Sequence, residues 1–374
     1  MSWLHTGVLI VGAALLCLLF TPLVRNFALR RGWVTEPDER KIHTKPTPEL
    51  GGTAIFAAML IMVLIQLVGE RLFGWKGFLS DVNVTPVGLI GILAGAVIMY
   101  LTGLIDDRVD LSPGSKLFGQ IIASLVVALC GVRISFVVIP LGNTLLDLGI
   151  LSVPVTVFFL VAFANIINLI DGLDGLAAGI CAIAAVSMLV LARGLNQTTA
   201  AIMAALIIGS CLGFLRYNFH PASIFMGDEG ALLLGFLLGI IALMGVMKTT
   251  AAIALAVPLL IVAVPIFDTA TSIVRRLRHG TAIEQADRGH IHHRLLGRGF
   301  SQRKTVFIIY IWSALLGVGA YAVRYTPSVI RVGALIVFLA ITALIIWFLG
   351  LYDSARHHAR RRARKRLRLM RSHK

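Results

Sequence analysis

Stretches of roughly 20 apolar residues recur along the whole chain, each long enough to cross about 30 Å of hydrocarbon, and nothing else in the sequence constrains its fold as strongly. A water-soluble chain of 374 residues, 58% hydrophobic and only 14% charged, could not bury that much apolar surface. In hydrocarbon every backbone polar group must be satisfied within its own segment, so the stretches are expected to be helices. Eleven spans are predicted, at 4–24, 51–69, 84–105, 116–132, 150–168, 174–192, 198–215, 229–247, 249–274, 305–323 and 329–351. The expectation is an all-α polytopic membrane protein, with one integral domain over 1–351 and a basic tail over 352–374. The fourth span is short, and the ninth carries Pro258 and Pro265, which invite a kink. Between spans four and five, the run Ile134–Ile139 followed by Gly142-Asn143 reads as a short hairpin. The cysteines (Cys17, Cys130, Cys181, Cys211) all lie in apolar stretches without paired spacing and read as packing residues.

Charge supplies the orientation. An odd number of spans puts the termini on opposite sides, and with the C-terminus inside, 27 of the 34 Lys and Arg fall on the cytoplasmic side. The opening Met-Ser-Trp-Leu-His has no basic n-region and the first apolar run ends at Arg25, so an uncleaved first span with its N-terminus outside is expected. The net charge of +16 does not indicate nucleic acid, because ten of those basic residues crowd into the last 21 positions. Such a run beside a span is a topology anchor and a contact for anionic lipid head groups. The acids are equally one-sided: 15 of 18 fall inside, with only Glu70, Asp81 and Asp147 outside. Orientation rules do not require this, so the asymmetry asks for a functional cause.

Four clusters hold seven of the inner acids. Asp106-Asp107 closes the third span at a helix C-terminus, where the dipole opposes negative charge, so a divalent cation or a nearby lysine such as Lys116 must compensate. Asn165, Asn168, Asp171 and Asp174 recur every third residue, a step about 60° short of a turn on one straight helix. Gly172 and Gly175 permit a break that would gather them, while the asparagines alone could simply glue helices together. In the third cluster, Arg216 to Gly230, Gly227-Asp228 opens a span, which would let Asp228 meet backbone N–H groups and keep an oxygen for a hard cation. The fourth joins Asp268 to Gly289-His290-Ile291-His292-His293-Arg294. No cysteine or spaced carboxylate completes a tetrahedral zinc set, so these imidazoles and the arginine are better read as donors to phosphate and sugar oxygens.

Carboxylates alone would repel a phosphate, but carboxylates holding Mg²⁺ beside Lys45, Lys116, Arg294 and the histidines would bind a pyrophosphate and hold a nucleophile in line. Rival readings are an ion-coupled transporter, which would place its acids near the bilayer midplane on repeated broken helices, and a scaffold acting through the basic tail. The acids sit instead at span ends, and no internal repeat is evident.

As a set, these motifs resemble the bacterial polyprenyl-phosphate N-acetylglucosamine-1-phosphate transferases, a branch of glycosyltransferase family 4 that is related to phospho-N-acetylmuramoyl-pentapeptide transferase. The resemblance runs from Lys45-Pro-Thr-Pro-Glu-Leu-Gly-Gly to His-Ile-His-His-Arg-Leu and leaves out only the tail. It implies catalytic roles for Asp106, Asp107, Asp171 and Asp174. Asp228 matches the Met-Gly-Asp magnesium ligand, with Asp107 helping to position the metal, and Mn²⁺ is an expected substitute. Asn168 and Asn218 match positions beside the nucleotide, and His290, His292 and His293 match the histidine motif that binds its phosphates. The non-consecutive form of that motif, and Asp268 in Pro-Ile-Phe-Asp-Thr, look more like the N-acetylglucosamine branch. Glu229 stands where relatives often carry a small residue. The implied reaction moves N-acetylglucosamine 1-phosphate from UDP-N-acetylglucosamine to undecaprenyl phosphate at the cytoplasmic face of the bacterial inner membrane and releases UMP. A homodimer is implied as well, and related enzymes use other 2-acetamido sugars. Residue types do not separate direct attack from a covalent aspartyl intermediate; direct attack is favoured because a metal-bound phosphate oxygen needs no second nucleophile.

Overall fold

The structure, a computed structural model, describes residues 2–35, 46–139, 144–247, 259, 262–269, 291–325 and 328–348. It is a helical bundle: α1 (Trp3–Arg31), α2 (Gly51–Phe73), α3 (Pro86–Val109), α4 (Pro113–Leu129), α5 (Ser152–Ile170), α6 (Leu176–Gly194), α7 (Thr198–Asn218), α8 (Gly227–Met247), the short α9 (Ile291–Gly297), α10 (Gln302–Tyr325) and α11 (Ser328–Phe348). Ten of the eleven predicted spans have a helix at their position, while the ninth lies largely outside the described residues. Among the described residues eight helices are long and apolar enough to cross a membrane, consistent with a polytopic membrane protein. The fourth is indeed short, 17 residues in α4. Strands β1 (Val34–Thr35) and β2 (Thr47–Pro48) pair beside α1. The expected hairpin forms from β3 (Phe136–Ile139) and β4 (Thr144–Asp147), which pair antiparallel.

Helices α7 and α8 form the interior, buried along most of their length. Helix α7 packs against α1 and α6, and α8 against α3 and α5. Small residues allow the closest approaches: a Cβ added at Gly209 would lie 2.2 Å from the Ile10 carbonyl oxygen, and one at Gly213 2.5 Å from that of Ala14. This is how apolar helices associate where lipid is as apolar as leucine. Three of the cysteines are buried and none is bridged, as packing residues should be. Glu70 and Asp81, two of the three acids expected on the outer side, tie down turns. Glu70 accepts from the Phe78 and Leu79 N–H groups at 2.7 and 2.6 Å, and Asp81 from the Thr199 N–H at 2.7 Å, at the start of α7.

The fold brings the C-terminal ends of α3, α5 and α7 together with the N-termini of α4 and α8. Helix α8 starts wedged between α2 and α3: a Cβ at Gly52 would lie 2.3 Å from the Gly230 nitrogen, and one at Gly103 2.4 Å from Glu229 Cα. Side chains that are far apart in sequence therefore converge at this end of the bundle.

Candidate active site

The expected compensation at the end of α3 is present, and it divides the adjacent aspartates between two tasks. Asp106 Oδ2 lies 2.9 Å from the Lys116 ammonium, in the first turn of α4, and its Oδ1 accepts from the Leu111 N–H at 3.0 Å. Asp107 turns the other way and caps α8, accepting from the N–H groups of Asp228 and Glu229 at 2.9 and 3.0 Å. A carboxylate at a helix N-terminus meets unpaired donors and the positive end of the dipole. The sequence assigned that favourable position to Asp228, but the cap is supplied by Asp107. Both Asp228 oxygens are left to face other partners: Oδ1 accepts from Asn168 Nδ2 at 2.8 Å and Oδ2 pairs with Lys116. The carboxylates of Asp106 and Asp228 thus converge on one cationic nitrogen, to which Asn168 Oδ1 lies at 3.4 Å.

The predicted break between the two halves of the asparagine–aspartate series occurs where the glycines stand. Helix α5 ends at Ile170, α6 begins at Leu176, and Gly175 sits at φ +78°, a conformation that costs a glycine little. Asn165 does act as glue, exchanging hydrogen bonds with Gln120 of α4 at 2.6 and 3.3 Å. Asn168 joins the charged cluster one turn further on. Asp171, Asp174, Asp228 and His293 line a cavity of about 280 Å³ together with Glu49 and His220. Burial, reinforced by the charges of Asp228, Glu49, Asp107 and Asp174, pushes the Asp171 carboxyl up to about 8.

Two predicted residues mainly hold the walls. Asn218 borders the cavity, but its Oδ1 accepts from the Gly175 N–H at 3.0 Å and its Nδ2 donates to the Ile224 carbonyl at 3.0 Å. It locks the Asp171–Gly175 turn to the chain leading into α8. Asp268 is buried and accepts from the Ile291 N–H at 2.7 Å, at the start of the helix that carries His292, His293 and Arg294. His292 is buried over the Asp171–Gly172 turn, where a Cβ on Gly172 would come within 2.6 Å of its Nε2. The rings of His292 and His293 are 4.4 Å apart. Lys45 and His290 lie outside the described residues.

Two participants have roles that the sequence did not indicate. His220, in the loop before α8, donates from Nδ1 to Asp174 Oδ2 at 2.7 Å. Its partner is 46 positions away, and the one signal for it was its place inside the Arg216–Gly230 cluster. Glu229 is fully buried and accepts from Thr53, from the backbone N–H at 2.8 Å and from the hydroxyl at 3.1 Å, so it fastens the first turn of α8 to α2.

Carboxylates from separate helices thus converge on one cationic point beside a cavity lined by aspartates and His293. Residues 89–246 match the model of glycosyl transferase family 4. The chain is 35% identical over 329 residues to a probable undecaprenyl-phosphate N-acetylglucosaminyl 1-phosphate transferase of Bacillus subtilis, covering 87% of this chain and 88% of that one. The chain belongs to the polyprenyl-phosphate N-acetylglucosamine-1-phosphate transferase family. Family relatives include a decaprenyl-phosphate N-acetylglucosaminephosphotransferase of Mycolicibacterium smegmatis, 37% identical over 82% of this chain and 79% of the relative. An undecaprenyl-phosphate alpha-N-acetylglucosaminyl 1-phosphate transferase of Salmonella typhi is 29% identical over 86% of this chain and 84% of that one. The family match spans α3 to α8, whose helices and α5–α6 turn supply Asp106, Asp107, Lys116, Asn168, Asp171, Asp174 and Asp228.

Proposed function

We propose that this protein transfers N-acetylglucosamine 1-phosphate from UDP-N-acetylglucosamine to undecaprenyl phosphate, releasing UMP, at the cytoplasmic face of a bacterial plasma membrane. The observation that carries the reading is the convergence of Asp106, Asp228 and Asn168 on the Lys116 ammonium at the edge of the Asp171–Asp174 cavity. The positive-inside distribution of Lys and Arg supports the orientation, and relatives named for this chemistry support the substrates.

Whether the site suits a divalent cation is tested by what already collects there. Two carboxylates from different helices share one positive charge, and all the donor atoms are oxygens, the chemistry preferred by Mg²⁺ and tolerated by Mn²⁺. Mg²⁺ usually keeps waters and substrate phosphates as ligands, so two carboxylates need supply only part of its shell. Asp228 and Asp106 would hold it, with Asp107 fixing the turn that presents Asp228. Bound there, Mg²⁺ would offset the charge of a pyrophosphate.

The protein's own groups do the rest. Lys116 offers three donors to phosphate oxygens once it is drawn from Asp228. Asn168 holds Asp228 in one rotamer. Asp171, whose carboxyl is pushed up to about 8, holds its proton near neutral pH and can donate a hydrogen bond to a phosphate oxygen. His293, held by the Asp268-capped helix, lines the cavity, where it can donate to the diphosphate, and His292 packs behind it over Gly172. The basic tail would rest on anionic lipids, and a homodimer agrees with the family resemblance. Purified protein given undecaprenyl phosphate, Mg²⁺ and a panel of UDP-sugars should release UMP with UDP-N-acetylglucosamine. No release with any sugar, or release indifferent to chelator, would overturn the proposal.

A further inference from the structure

His220 is held as a ligand-reading side chain would be. Its side chain is 37% exposed and borders the cavity that Asp171, Asp228 and His293 also line. Its Nδ1 is fixed on Asp174 Oδ2 at 2.7 Å, and that same oxygen accepts the Ala222 N–H at 3.1 Å. Its backbone is held as well, since Arg303 Nε donates to the His220 carbonyl at 3.2 Å. On both sides the loop is closed by Asn218 to Ile224 and by the Ser223 N–H donating to the Tyr217 carbonyl at 2.8 Å. Among the described residues no hydrogen bond engages Nε2.

The hydrogen-bond network assigns the tautomer. An oxygen that already accepts a backbone N–H serves as acceptor for the imidazole too, so a ring proton sits on Nδ1, and in the neutral tautomer Nε2 carries the lone pair. A carboxylate that orients a histidine in this way leaves its second nitrogen with one defined role. In the neutral tautomer that role is acceptance. Phosphate oxygens are acceptors themselves, and the neighbouring Asp174 carboxylate would repel them. The diphosphate has other partners in Lys116, which pairs with Asp228, and in His293 on the cavity lining. The matching ligand atoms are neutral O–H or N–H donors, which a uridine nucleotide presents on its ribose hydroxyls and its imide nitrogen.

We infer that His220, positioned by Asp174, reads the nucleoside half of the donor by accepting a hydrogen bond at Nε2 from a ribose hydroxyl or from the uracil N–H. This rests on the transferase reading above and extends it to a residue that fixes which nucleotide is taken. One neutral hydrogen bond is worth up to about a factor of ten in affinity. His220→Ala is therefore expected to raise KM for the UDP-sugar about tenfold while kcat changes less than about threefold.

The test measures binding of UMP, 3-methyl-UMP, 2′-deoxy-UMP and pyrophosphate, each with Mg²⁺, to wild-type protein, His220→Ala and His220→Gln. The expected result is about tenfold weaker UMP binding to His220→Ala with pyrophosphate binding unchanged, which also shows that the variant's site is intact. His220→Gln, whose side-chain carbonyl can still accept, should recover part of the loss. One of the two UMP analogues should bind wild-type protein about as weakly as UMP binds the alanine variant, and lose nothing further in that variant. That shared loss identifies the donating atom. UMP binding unaffected by His220→Ala would overturn the inference, as would pyrophosphate binding falling as much as UMP binding. Wild-type protein that binds no uridine nucleotide would instead remove the transferase reading itself.

Discussion

Asp107→Ala separates a capping aspartate from a chemical one. In the structure both of its carboxylate oxygens accept from backbone N–H groups at the start of α8, at 2.9 and 3.0 Å. Removing a side-chain cap costs about 0.5–2 kcal/mol, and the lost charge at the helix N-terminus adds about 0.3–1 kcal/mol. The freed donors border a polar cavity that water can enter, so a total of about 2 kcal/mol is expected rather than the full penalty for buried unpaired groups. Asp107→Asn keeps one acceptor oxygen and should lose about half as much. In a thermal melt of detergent-solubilised protein, the alanine variant should unfold a few degrees below wild type, with the asparagine variant between them. Because the same turn presents Asp228, the Mg²⁺ concentration for half-maximal UMP release should rise several-fold in both. An alanine variant that melts like wild type, responds normally to Mg²⁺ and has simply lost kcat would refute the capping argument and return Asp107 to direct chemistry.

Lys116→Gln leaves Asp106 and Asp228 facing each other without their shared cation. Turnover should fall more than about 100-fold, and added Mg²⁺ should raise the melting temperature more than in wild type; an equal rise would count against the shared site. Gly172→Ala puts a methyl group within 2.6 Å of His292 Nε2, so the ring must move. KM for the donor should rise with the melting temperature nearly unchanged, and an unaltered KM would argue against any role for His292 at the cavity. Asp171 titrates at about 8 in the folded protein against 3.8 when free, so the folded state holds the extra proton across that interval. Its contribution to stability is therefore greatest at and below about pH 4 and is lost as pH rises towards 8. Asp171→Asn removes that slope, and melting curves taken across the interval without divalent cation should be flatter for the variant; parallel curves would sink the assignment.

The helices were legible because the hydrocarbon thickness sets a length that apolar runs either meet or miss, and ten of the eleven predicted spans have a helix. The charge argument was legible for the same reason. Acids at the C-terminal end of α3 must be compensated, and Lys116 was nameable as the compensating group from Leu111-Ser-Pro-Gly-Ser-Lys116 alone. The break after Asn168 could be read from two glycines, and Gly175 does take the left-handed turn. Each of these inferences concerns a residue and its neighbours within one or two turns.

What the sequence could not divide was ligand from cap, because a carboxylate suits both and the choice is made by a partner from another helix. Asp107 and Asp228 are 121 positions apart, and only the packing of α3 on α8 shows that the first caps the second's helix. Asp268 reaches Ile291 across 23 positions and belongs to the support of the histidine helix. Glu229 looked like an extra acid beside a metal ligand, yet it is fully buried on Thr53. These three carboxylates have one effect in common: each fixes the start of a helix that carries a neighbouring functional side chain, Asp228 in one case and His292 and His293 in the other. An active site built from helix ends needs such fastenings, because the first turn of a helix is where unpaired donors leave the backbone freest to move. The surplus of acids at one end of this bundle therefore has two causes, a cation to be shared and helix starts to be held, and only the first was visible in the residue types.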